Sequence, residues 1–284
     1  MPRAMHYDAT RRALLYPMTT PTLLRPGATY NEAQLTAECA RLVYTIFEGD
    51  ATARAQFQSL LTGLGFSDIQ FHYNPAHDAQ AMTVAYPPKN LLILAIRGTE
   101  VKWADYKTDF FEWTLRPWPA GGNVHHGFSE AIRSIWPGIE RWFSTRTGVV
   151  LYTGHSMGAA MATLAAGIKP PDRVYTYGSP RAGDQAFVDS LRGVDVQRYQ
   201  NCCDLVTRVP LRNMTFEHAG ALNYIDRNGD IHVGVNDALI DRDCRWARLF
   251  YTLNLAWRPR NLWLRGLADH TPLNYASAIL GTPP

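Results

Sequence analysis

The chain has 284 residues, 46% hydrophobic and only 19% charged, enough apolar material for a sizeable core and too much for a mainly disordered polymer. Its 28 Lys and Arg against 25 Asp and Glu leave a net charge of +3 without long runs of one sign, so no nucleic-acid footprint shows. The longest apolar stretch, Met157 to Ile168, is too short to cross a bilayer, which argues against a transmembrane segment.

From Met1 through Arg11 and Arg12 to Leu15 no continuous apolar run ends in a small-residue cleavage site, so no export signal is expected. That leaves a cytoplasmic protein, one exported by another route, or a mature form already without its leader. Residues 1–29 read as a loop-like extension, and the chain as one domain over 1–284, because it shows no internal repeat and no Gly/Ser linker. From Asn31, Leu35, Cys39, Leu42, Val43 and Ile46 recur at helical spacing, and the pattern ends near Gly49. Thr52 to Leu64 predicts a second helix. Ile69 to Tyr73 and Ala81 to Tyr86 predict paired strands joined around Asn74-Pro75.

Leu91 to Ile96 is a β-prone run with no polar face, as expected of a strand covered on both sides in a parallel sheet. Val149 to Tyr152 and Val174 to Tyr177 repeat the signal at wide spacing. The intervals carry helical patterns, Phe128, Ile132, Ile135, Ile139 and Phe143 in one and Met157 to Ala166 in the other. Strands alternating with crossover helices define an α/β sheet. Leu222 to Val233, with Asn228-Gly229 at its centre, predicts a hairpin. The nearby Asp226 to Asp230 is not a calcium loop, because its glycine stands fourth and Ile231 occupies the sixth place.

Gly154-His155-Ser156-Met157-Gly158 is a G-x-S-x-G between a predicted strand and a small-residue helix. A turn sharp enough to lift a serine hydroxyl above a sheet needs strained dihedrals and neighbours without bulk, which Gly154, Gly158, Ala159 and Ala160 supply. A serine hydroxyl is a poor nucleophile until an imidazole takes its proton, and the imidazole needs an acid to hold its tautomer. His218, His232 and His270 follow an eligible acid. His155 reads as packing, aimed away by the same turn. His270 precedes Thr271-Pro272, which read as the cap and first turn of a last helix; His232 falls in the hairpin, and His218 stays in reserve. Asp204 follows the predicted strand Val196 to Asn201, where an orienting acid would stand, whereas Asp172, Asp184, Asp189 and Asp195 read as solvated. The four cysteines, Cys39, Cys202, Cys203 and Cys244, are too few for a disulfide scaffold. They read as buried free thiols, with pairing of Cys39 or Cys244 to one of the adjacent pair left open.

Taken in order, Ile96-Arg97-Gly98-Thr99-Glu100, Val124-His125-His126-Gly127-Phe128, the Ser156 pentapeptide, Tyr177 to Gly183, Asn201 to Val206, and Asp269-His270 with Tyr275 resemble the fungal-type triacylglycerol lipases, lipase class 3. The resemblance implies an α/β-hydrolase fold, a mostly parallel sheet flanked by helices. It implies Ser156 as nucleophile, Asp204 as acid and His270 as base. Thr99 and Met157 would hold the oxyanion, and Asp109 falls where the family often keeps a carboxylate bonded to the Thr99 hydroxyl. It also implies a lid around residues 100–122, the alternative being an aromatic-rich crossover packed permanently in the core. There Trp103, Tyr106, Phe110 and Trp113 fall at helical spacing, with Phe111 beside them, and Pro117, Pro119 and Gly121-Gly122 would form the exit. The expected chemistry is hydrolysis of carboxylic esters, acylglycerols or other lipid-like esters, at a lipid–water interface if the lid opens there. No metal and no organic cofactor is called for. A phospholipase, a short-chain or feruloyl esterase and an acyltransferase would share the triad, and a protein-binding scaffold is the non-enzymatic alternative. The chain departs from the family's pattern at Thr207-Arg208-Val209-Pro210 and at Thr271-Pro272 after the histidine.

Overall fold

The computed structural model describes residues 7–45, 50–98, 114–211 and 214–284. Nine helices and ten strands are assigned among them. The helices are α1 (Arg11–Leu15), α2 (Glu32–Leu42), α3 (Ala51–Gly63), α4 (His126–Ser144), α5 (Met157–Ile168), α6 (Gln185–Ser190), α7 (Asp237–Asn254), α8 (Arg265–Ala268) and α9 (Pro272–Leu280). The strands are β1 (Ser67–Asn74), β2 (Ala79–Tyr86), β3 (Leu91–Ile96), β4 (Leu115–Pro117), β5 (Asn123–His125), β6 (Val149–His155), β7 (Arg173–Tyr177), β8 (Asp195–Asn201), β9 (Ala221–Ile225) and β10 (Ile231–Val233).

Eight of the strands form one sheet in the order β1-β2-β3-β6-β7-β8-β9-β10. β3, β6, β7, β8 and β9 run parallel, while β1, β2 and β10 are antiparallel to their neighbours. All six residues of β3 are buried, as its unbroken apolar run requires of a strand covered on both faces. One face packs against α4 and α5, with Ile132, Ile139, Met161 and Leu164 in its core. The other lies under α2 and α9, with Leu35, Val43, Tyr177 and Tyr275. This is the α/β-hydrolase arrangement, in which the turns after the parallel strands gather at one rim.

Local chemistry accounts for the ends of these elements. Asn31 and Gln34 form a capping box at the start of α2, which stops at Leu42, short of the predicted end near Gly49. Asn228-Gly229 turns the β9–β10 hairpin. β4 and β5 also pair antiparallel, so the Pro117 to Gly122 stretch, expected as a hinge-like exit, is the turn of a small hairpin. Trp118 in that turn is buried in the core, with the Arg133 guanidinium over its ring. No helix among the described residues is long and apolar enough to cross a membrane.

Candidate active site

Ser156 occupies the turn between β6 and α5 with φ 58° and ψ −128°, a left-handed conformation costly for a residue with a side chain. The strain is held from both sides. The Ser156 amide donates to the Tyr177 carbonyl at 2.9 Å, and the Ser156 carbonyl accepts from the amides of Ala159 and Ala160. The flanking glycines have a steric reason: a Cβ on Gly158 would strike the Ile96 carbonyl, and one on Gly154 would strike the Gly158 backbone.

His270 lies on the short connection between α8 and α9. Its Nε2 is 2.9 Å from the Ser156 hydroxyl and its Nδ1 is 2.9 Å from Oδ2 of Asp204. An ionised carboxylate has no hydrogen to give, so Nδ1–H donates to Asp204 and Nε2 is left to accept from the serine hydroxyl. Asp204, on the turn after β8, is fully buried and also accepts from the Tyr275 hydroxyl at 2.7 Å and the Val206 amide at 2.8 Å. Burial, and next the charge of Asp204, push the Tyr275 hydroxyl well above its ordinary range, so it stays a donor. Thus an alcohol, an imidazole and a carboxylate drawn from three distant parts of the chain meet in one hydrogen-bonded line. Thr271-Pro272 does not displace it. Pro272 opens α9 as expected, but the Thr271 side chain makes no capping hydrogen bond.

His155 was read as packing, and it does more. Its Nε2–H donates to the backbone carbonyl of His270 at 2.7 Å, and its Nδ1 accepts from the Tyr44 hydroxyl at 2.9 Å. Burial first, then the nearby His270, hold its pKa well below the ordinary value, so the ring is neutral. The reserve histidines stand elsewhere: His218 Nε2 is 2.8 Å from the Thr207 carbonyl and His232 Nε2 is 3.0 Å from Asp226. Met157 opens α5 directly after Ser156, at the positive end of the helix. Thr99, Asp109, Trp103, Tyr106, Phe110, Phe111 and Trp113 lie outside the described residues.

Sequence reading passed over a second buried network beside the first. Asp269 pairs with Arg265 at 3.2 Å and accepts from the Tyr7 hydroxyl at 2.8 Å and the Cys203 amide at 2.9 Å. Burial pushes its carboxyl up against the pull of Arg265 and those donors. The Asp-His dipeptide was visible, but no periodicity marks a salt bridge that closes only in three dimensions. All four cysteines are free and buried. Cys202, Cys203 and Asp269 bring three potential metal donors within 4.8 Å of one another. The Arg265 cation on Asp269, and hydrogen bonds to Cys202 and Cys244 that push the Cys203 thiol up, fit a structural cluster better than a cation site.

A doubly covered, mostly parallel sheet with a Ser–His–Asp line at its rim defines a protein of the α/β-hydrolase class. Residues 93–214 match the profile of the family described as Lipase (class 3). Over that stretch the chain is similar to the lipase class 3 family. It is 25% identical over 303 residues to "Triacylglycerol lipase OBL1" of Ricinus communis, covering 73% of this chain and 57% of that one. It is 44% identical over 94 residues to "Phospholipase A(1) DAD1, chloroplastic" of Arabidopsis thaliana, covering 30% and 21%. It therefore spans less than two thirds of the length of these relatives. Among solved structures, the Rhizomucor miehei lipase propeptide complex shares its fold with a TM-score of 0.58 at 22% identity, over 72% of this chain and 69% of that one.

Proposed function

We propose that the chain is a serine carboxylic-ester hydrolase, a lipase that acts on acylglycerols or other lipid-like esters through an acyl-enzyme on Ser156. The observation that carries this reading is the continuous line Ser156 Oγ, His270 Nε2, His270 Nδ1, Asp204 Oδ2, with 2.9 Å at each hydrogen bond. Ser156 Oγ attacks the ester carbonyl as its proton passes to His270 Nε2, and Asp204 stabilises the imidazolium that forms. His270 returns the proton to the leaving alcohol. Water then takes the place of Ser156 by the same route in reverse. The oxyanion would lie on the Met157 amide and on Thr99, each donor being worth about 3 kcal/mol of barrier. No step needs a metal or an organic cofactor.

Ser156 is only 4% exposed and His270 2%, so a substrate must uncover the serine before it can react. A phospholipase reading has one observation in its favour, the 44% identical segment shared with the Arabidopsis relative.

Two assays test the proposal. A fluorophosphonate probe should label the wild-type chain and leave Ser156→Ala unlabelled; a folded wild-type chain that stays unlabelled overturns it. A chain-length series of esters with and without an emulsion should favour long chains at the interface. Equal rates on dissolved short esters with none on long ones would replace lipase by esterase.

A further inference from the structure

α7 is buried along one side only. Ile240, Cys244, Ala247 and Tyr251 are buried, Cys244 and Ala247 against the Cys202-Cys203 turn and Tyr251 against the connection leading to α8. A helix with one dry stripe is expected to turn charge to water elsewhere. Instead Leu239, Trp246, Phe250 and Leu253 share a second stripe at helical spacing, with Leu249 beside it, and all are exposed. The apolar exposure continues beyond the helix at Trp257 (71%), Trp263 (76%) and Leu264. More than half of the large apolar side chains exposed among the described residues fall between 239 and 264. Scattered single exposures need no explanation, but a concentration like this one does.

The charge beside the stripe narrows what can cover it. Arg242 and Arg245 are exposed along its flank, Arg242 between Leu239 and Trp246 and Arg245 one turn before Leu249. At the far end of the helix an open groove of about 1290 Å³ is lined by Arg11, Arg12, Arg258 and Arg260, with Trp257 and Trp263 on its walls. Asp8 also lines that groove and donates nothing to an anion, but its carboxylate accepts from the Thr10 amide. Of the three acids on α7, Asp243 accepts from Tyr224 and Arg227, Asp241 lies 3.8 Å from Arg208, and Asp237 stands in the first turn, at the positive end of the helix. Guanidinium groups match phosphate oxygens in pairs, and tryptophan favours the boundary between headgroup and acyl chain. An apolar stripe edged by arginine and tryptophan is the pattern of a helix lying in a lipid surface.

We propose that this face of α7, with Trp257, Trp263 and the arginine groove, docks the protein on a membrane surface that carries anionic headgroups. The same helix covers the turn that carries Cys203 and Asp204, and the chain runs from it through α8 to His270. Docking there would hold lipid against the helix that packs on the turn carrying the Asp204 carboxylate. The purpose of the surface rests on the ester-hydrolase reading, while the binding itself does not.

Co-sedimentation of the full chain with vesicles tests this. Vesicles of phosphatidylcholine with about 30 mol % phosphatidylglycerol should bind the chain about a hundredfold more tightly than phosphatidylcholine alone, an advantage lost in high salt. Trp246→Ser with Phe250→Ser and Leu253→Ser should abolish binding to both. Arg258→Glu with Arg260→Glu should remove only the preference for the anionic lipid. Hydrolysis of a dissolved short-chain ester and the far-UV circular dichroism should stay unchanged in both variants, which shows that they fold. Equal affinity for the two vesicles, or binding indifferent to all five substitutions, overturns the proposal. So does a wild-type chain that ignores vesicles and instead forms a dimer that the triple variant abolishes. If vesicles fail to bind a chain that still hydrolyses the dissolved ester, docking falls and the hydrolase reading stands. If they bind a chain that the fluorophosphonate never labels, the reverse holds.

Discussion

The Cys203 amide donates to the Asp269 carboxylate at 2.9 Å, joining the residue before Asp204, the proposed acid, to the residue before His270, the proposed base. The Asn201 side chain adds a second tie by donating to the Asp269 carbonyl at 2.9 Å. Asp269 therefore acts as a positioning residue: it fixes the turn after β8 to the His270 connection, and with it the separation of acid and base. Asp269→Asn keeps the shape but leaves Arg265 buried without its counter-charge, a loss of about 3–5 kcal/mol. The thermal midpoint should drop by roughly 10 °C. At a temperature where the variant is folded, kcat should still fall by about tenfold or more with KM little changed. A folded Asp269→Asn with wild-type kcat would show that the tie serves stability alone.

His155 holds the base from behind. Its Nε2–H on the His270 carbonyl and the Tyr44 hydroxyl on its Nδ1 leave no freedom in the ring. His155→Phe fills the space but strands the His270 carbonyl in a dry site, at about 1–3 kcal/mol of stability. Phosphonate labelling of Ser156 should slow by about tenfold, and His155→Gln, which can still donate to that carbonyl, should recover part of the rate. If Phe and Gln variants label at the same rate, the hydrogen bond to His270 has no bearing on reactivity.

What could be read in the chain beforehand follows the range of the interactions. The continuous run Leu91 to Ile96 announces a doubly covered strand because burial of every side chain is written into every residue. Phe128, Ile132, Ile135 and Ile139 announce α4 because one face of a helix repeats locally, and the helix runs on through Pro137. The strained serine turn is legible because its glycines are neighbours in sequence. His155, Asp269 and Gly178 are not legible, since each owes its place to partners tens to more than a hundred positions away. Thr271 shows the opposite error. A local preference for capping is not realised there, although the residue is the N-cap of α9 and is fully buried. Pro117, Pro119 and Gly121-Gly122 read as an exit, yet core packing claims Trp118 in their midst.

Gly178 is the least conspicuous constraint on the site. Its φ of +61° suits glycine, and a Cβ there would stand 2.8 Å from Oδ2 of Asp204 and 3.1 Å from Nδ1 of His270. Gly178→Ala would therefore wedge a methyl group against the acid–base hydrogen bond. The backbone conformation alone costs about 1 kcal/mol. The larger effect should be on rate, a fall in kcat of about a hundredfold while the thermal midpoint drops only a few degrees. An alanine variant with unchanged kcat would mean that the Asp204–His270 pair tolerates displacement.

Acid should unfold the protein through its buried imidazoles. Burial lowers His72 to about 4 and, with the nearby His126 adding to it, His125 to about 4, while His155 lies well below its ordinary value. In the unfolded chain each ring protonates near pH 6.5, so below that pH the unfolded state binds protons that the folded state refuses. The stability of a neutral ring is intact above about pH 6.5 and drains as pH falls toward the folded value near 4, by up to roughly 1.4 kcal/mol per pH unit for each ring. Asp269 works in the opposite sense, since a raised carboxyl takes up its proton in the folded state first, but it is one group against three. Urea midpoints should therefore drop steeply between pH 6.5 and 4.5, and His72→Gln should make the drop shallower by the share of one ring. A midpoint that stays level across that range would mean that these rings charge in place, and that the His155–His270 hydrogen bond survives a protonated donor.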